Sequence, residues 1–160
     1  MPSGKHRLYI ALYARGGKPK MPEKEDTYHW GLIVGPKKRL KIHEGRVFTP
    51  RRFSTQMLLV RVMVAKIENY DRMLQILRAI PIRSKDEGWN CVGWVREALV
   101  ELQNDGKTLG TAVIEWTTVR DAAMNYYQKK KDEHRFDGVV EWKTTKVATF
   151  DLIDGKEIIP

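Results

Sequence analysis

The sequence predicts an α+β fold, an antiparallel sheet packed with helices, from two kinds of pattern. Short apolar stretches with strand character recur at 7–14, 27–35, 39–48 and 57–67. Apolar residues at helical spacing mark 69–81, 91–102 and the run from about Thr118. Between them lie segments rich in Gly, Pro and charge, such as RGGKPKMPEKED at 15–26, which read as exposed loops.

Each element has its own signature. RLYIALYA (7–14) and TYHWGLIVG (27–35) are strands, and PKK (36–38) makes a turn into RLKIHEGRVF (39–48), which alternates well enough to pair antiparallel with the strand before it. His29 and His43 thereby fall on neighbouring strands. MLLVRVMVAKI (57–67) is apolar and β-branched and reads as a central strand. NYDRMLQILRAIP (69–81) places Met73, Leu74, Leu77 and Ile80 on one helical stripe before a proline stop. The clearest helix follows in WNCVGWVREALVELQNDG, with Val95, Ala98, Leu99 and Leu102 on one side, Asn90 as candidate N-cap and NDG (104–106) as the close. IEWTTVRDAAMNYYQKKKDEHRF (114–136) carries a further long helix from about Thr118, and 139–159 reads as one or two late strands or an extended tail.

Composition bounds the rest. With 160 residues, 42% of them hydrophobic, the chain suffices for one well-buried core and is read as a single domain over 1–160. No run approaches the roughly 20 apolar residues that span a bilayer, and LYIALYA is followed by no small-residue cleavage pattern, so a cytoplasmic protein is expected. One cysteine closes no internal disulfide, and the absence of Cys-x-x-Cys argues against zinc-finger and thioredoxin readings. Lys and Arg number 29 against 20 Asp and Glu, a net charge of +9, with runs at 37–41, 51–52 and 129–131. No nucleic-acid reader motif accompanies them, so no specific nucleic-acid partner is expected, whereas an anionic substrate or membrane surface suits the charge equally.

Asn90 as cap places Cys91 in the first turn of a helix, where unpaired amides and the helix dipole favour a thiolate. A strand bearing YHWGLIVG, a next-strand histidine in KIHEG and a later WNCVGWVREAL together resemble the circularly permuted, NlpC/P60-related papain-like cysteine enzymes. The likeness is to the lecithin:retinol acyltransferase and HRAS-like suppressor group and to the permuted deSUMOylating peptidases, with an uncharacterised fungal branch of the same layout. It covers about 7–102 and leaves 107–160 unexplained. By matching position it implies Cys91 as nucleophile, His29 as general base and His43 as the residue that orients the base, acting through a thioester on an amide, ester or thioester of a small-molecule, lipid or peptide acyl substrate. No cofactor is implied.

The residues agree with that chemistry, since a thiol attacks a carbonyl best when an oriented imidazole takes its proton, and the Cys91 amide can hold an oxyanion. The reading requires His29 and Cys91 to come within hydrogen-bond reach, with allowance for looser distances before substrate binds, where the strand meets the 91–102 helix. Trp30, Trp89 and Trp94 are the candidates to wall a cleft, with Asn90 beside them, although core packing is the simpler role for each tryptophan and capping for Asn90. Two histidines and a cysteine can also hold zinc, but no fourth ligand or metal-binding motif accompanies them, so no metal is expected. The competing class is a catalytically inactive papain-like binding or effector module with a basic surface.

Overall fold

The computed structural model describes residues 6–35, 46–50, 57–83, 85–142 and 146–160. β1 (Arg7–Ala14) pairs antiparallel with β2 (Tyr28–Gly35) on one side and with β4 (Leu58–Ile67) on the other, so the first two expected strands and the expected central strand form as read. β3 (Arg46–Phe48) runs antiparallel to β2. It is the end of the strand expected over 39–48; the remainder, with His43, lies outside the described residues.

The helices follow from local chemistry. α1 (Tyr70–Ala79) is capped by Asn69, whose side chain accepts from the Arg72 amide, and ends before Pro81. α2 (Cys91–Asp105) starts on Asn90 and stops where Gly106 takes a left-handed conformation at φ 70°. α3 (Trp116–Asp132) starts two residues before the expected Thr118, because the Glu115 carboxylate accepts from the Thr117 and Thr118 amides and caps the helix itself. No helix among the described residues is long and apolar enough to cross a membrane.

Between α2 and α3, β5 (Leu109–Ala112) pairs antiparallel with the end of β4 and was not expected. The late segment resolves into β6 (Ala148–Asp151) and β7 (Lys156–Ile159), antiparallel to each other across a turn in which Asp151 Oδ1 accepts from the Ile153 and Asp154 amides. Among the described residues the sheet has seven strands in the order β3-β2-β1-β4-β6-β7, with β5 beside β4. The expected antiparallel sheet is therefore mixed at one place, since β6 runs parallel to β4.

Alternation divides the strands into two buried faces. Leu8, Ile10 and Leu12, Trp30, Leu32 and Val34, and Val60, Val62 and Val64 form the main core with Val95 and Leu99 of α2 and Val119 of α3. Each buried side chain of this size contributes about 1.5–3 kcal/mol. Tyr9, Ala11, Tyr13, Ile33 and Met63 point the other way into a second cluster. Lys130 ties α3 to the late hairpin: its fully buried ammonium bonds Glu133 at 2.8 Å and Glu157 at 3.0 Å and lies 4.8 Å from the centre of the Trp142 ring.

Candidate active site

The first turn of α2 is built by Asn90, whose Oδ1 accepts from the amides of Val92 at 3.0 Å and Gly93 at 3.3 Å, a cap that contributes about 1 kcal/mol. Its Nδ2 donates toward Met21 Sδ at 3.5 Å, which holds the 15–26 loop against the helix start. Asn90 is thus committed to capping. Cys91, the next residue, is buried at 8% exposure, and its Sγ accepts the Trp30 amide at 3.3 Å.

That bond fixes where the thiol sits. A strand N–H lies in the plane of its sheet, and in an antiparallel strand it points either to the paired neighbour or away from it. The Trp30 amide is taken by Cys91, so the thiol meets β2 at the edge opposite β1, beyond the β3 pairing that stops at Leu32 and Phe48. Across one peptide unit this puts Sγ no farther than about 6 Å from the His29 Cα.

His29 is 5% exposed and occupies the face of Tyr13, its cross-strand partner, with ring centroids 5.5 Å apart. Its Nε2 is 2.8 Å from Thr49 Oγ1, just past the end of β3. Gly31 lies next to this contact. A Cβ there would crowd the Phe48 carbonyl oxygen at 3.3 Å while making ordinary contact with the Tyr13 ring at 3.5 Å and Thr49 Cβ at 3.6 Å, so the bare glycine eases the approach of the β3 backbone to β2.

The structure brings Cys91 and His29 to adjacent positions at one strand edge, but the expected hydrogen bond between them is not made. His29 lies on the Tyr13 face and α2 packs on the Trp30 face, with the thiol bonded to the intervening amide. The expected thiolate is corrected as well. Burial pushes the Cys91 thiol up from its ordinary pKa, and the Trp30 amide, the Arg15 charge and the helix-start amides of Cys91 and Val92 oppose this without overcoming it.

The tryptophans separate. Trp30 is fully buried, its Nε1 donating to the Glu25 carbonyl at 2.8 Å and its ring 5.4 Å from that of Trp116, so its side chain is core and only its amide reaches the thiol. The partly buried Trp89 lies against Gly93, where a Cβ would come within 3.3 Å of its ring. Trp94 is buried a single turn after Cys91 and lines a groove of about 330 Å³. Residues 47–50, Leu77, Ile80 and Ile82 complete its walls, and Arg78 stands at its rim. The sequence reading missed Thr49, because a threonine before a proline reads as loop; the glycine in HWG was the available signal for a close approach. Among the described residues, no three His, Cys, Asp or Glu side chains gather as metal ligands do.

A family model described as a family of unknown function, DUF6914, matches residues 5–49 and 45–159. No curated protein and no solved structure matches the chain.

Proposed function

The chain belongs to the DUF6914 family, and for this member we propose a cysteine-dependent hydrolase or acyl transferase that works through a thioester on Cys91. The observation that carries the reading is the Cys91 thiol at a capped helix start, bonded to the Trp30 amide beside a histidine whose Nε2 is held by Thr49. The circularly permuted papain-like arrangement, with the histidine strand preceding the cysteine helix, belongs to the same reading, as does an intracellular location.

With Nε2 engaged by Thr49, proton exchange with the thiol is assigned to His29 Nδ1. When the imidazolium forms, its Nε2–H donates a hydrogen bond to the Thr49 hydroxyl oxygen. In the forward step Sγ gives its proton to His29 as the S–C bond forms at the carbonyl, and the Cys91 amide receives the oxyanion. Collapse expels the amine, alcohol or thiol with that proton, and water or an acyl acceptor then cleaves the thioester. Because burial favours the neutral thiol at rest, the base has to act during attack. His43 is proposed as a further support to His29.

The buried, raised thiol and the missing thiol–imidazole bond favour a second reading, the catalytically inactive binding module. Incubation with activated acyl esters, phospholipids and peptide amides, followed by intact-mass measurement, separates the two. An adduct is expected in the native protein, absent in Cys91→Ala and formed about 100-fold more slowly in His29→Ala. Thr49→Ala and His43→Ala slow it less, and Thr49→Ser retains it. Equal adduct rates in native protein and His29→Ala indicate the inactive module, and equal turnover by Cys91→Ala sinks the catalytic reading.

A further inference from the structure

We propose that the substrate of the Cys91 site is an extended peptide that lies along the β3 edge, seats an apolar side chain in the groove beside Trp94 and sets an acidic neighbour against Arg78. This rests on the cysteine reading and adds the substrate class.

The groove is joined to the site at two points. Thr49 contributes to its wall and also bonds His29 Nε2, and Trp94 contributes to the wall from a position a single helical turn after Cys91. A group seated in the groove therefore lies between the residue that bonds His29 and the helix that begins at Cys91.

The choice of a peptide comes from the strand in the wall. Residues 47–50 line the groove consecutively, and β3 ends the strand order on its side, with β2 as its strand neighbour among the described residues. A strand edge offers amide and carbonyl groups to an extended chain, which matches them with its own backbone. A lipid tail uses the apolar walls and leaves those polar groups unused. Successive side chains of an extended peptide alternate, so when one enters the groove its neighbour faces the rim.

The acidic neighbour comes from Arg78. Arg72 pairs with Asp105 at 2.6 Å, Arg83 with Glu97 at 3.0 Å and Arg120 with Asp121 at 3.0 Å. Arg78, exposed at the groove rim, makes no ion pair with the described residues. A chain carrying +9 favours anionic partners in general, and this cation gives the preference a position.

Fluorescein-labelled peptides titrated against Cys91→Ala protein, read by anisotropy, test the groove without requiring turnover. The set has leucine beside aspartate, leucine beside lysine, and serine beside aspartate. The first should bind about ten-fold tighter than the other two. Arg78→Glu should reverse the order of the two leucine peptides, and Ile82→Asp, at a side chain already 59% exposed, should weaken the first several-fold. Binding of all three within two-fold, or an unchanged order in Arg78→Glu, overturns the proposal. The native protein then distinguishes the two claims. The predicted binding order without cleavage or a Cys91 adduct keeps the groove and removes the catalytic reading. Turnover of fatty acyl esters with no peptide binding keeps the catalytic reading and removes the peptide.

Discussion

Gly31 eases the approach of the end of β3 to β2 by lacking a Cβ that would crowd the Phe48 carbonyl oxygen, and the next residue, Thr49, reaches His29. The same economy of space works against the thiol, because the packing that places Cys91 on the Trp30 amide also strips it of water. Helix-start amides and a nearby arginine favour the anion, yet desolvation outweighs them. Alkylation of Cys91 by iodoacetamide is therefore expected to rise with pH with a midpoint above about 8.5, the value of a free thiol, and to be slow at neutral pH. A midpoint below that value would show that the His29 imidazole already shares the proton in the resting protein. Residue roles were legible where a motif had a fixed mechanical meaning: Asn90 before a helical stripe is a cap, and it caps. Thr49 was not legible, since its contact depends on where β3 stops.

At the scale of elements, strands with continuous apolar character and helices with a wide stripe were read nearly as they stand, β1, β2, β4, α1 and α2 among them. β5 escaped because LGTA is short, contains glycine and is defined by its pairing to β4. The start of α3 was displaced because its cap is a glutamate, a residue type that sequence rules place inside a helix more often than at its entry. That cap has a measurable consequence. Hydrogen bonds from the Thr118 hydroxyl and from the Thr118 and Thr117 amides hold the Glu115 carboxyl down at about 2. A depressed folded pKa adds stability above the ordinary carboxylate range near 4.3, and that stability is lost as pH falls toward 2. Glu115→Ala should thus lower the melting temperature by a few degrees at pH 7, and thermal scans of both proteins should converge as the pH approaches 2. A gap that persists unchanged in acid would mean that the carboxylate contributes packing rather than charge.

For the molecule as a whole, the segment that family likeness left unexplained is structural. β6 pairs in parallel with β4, β7 closes on β6, and Lys130 anchors both to α3 through Glu157. Removing residues 146–160 should expose the β4 edge and some of the core, so the truncated chain is expected to lose cooperative unfolding in urea and to aggregate. A truncated protein with an unchanged transition would make the late hairpin an accessory. The late strands were ambiguous in sequence because their partner is far away in the chain, and nothing local announces a parallel neighbour. That pairing also orders events during synthesis. As the polypeptide leaves the ribosome, β1, β2 and β4 emerge with one flank of β4 still bare; β5 covers its end at Ala65 and Ile67, and residues 60–63 stay open until residues 148–151 follow. Completion of the sheet consequently waits for the synthesis of residues 148–151, and a nascent chain stalled before them presents an open strand to whatever chaperone or neighbouring chain it meets.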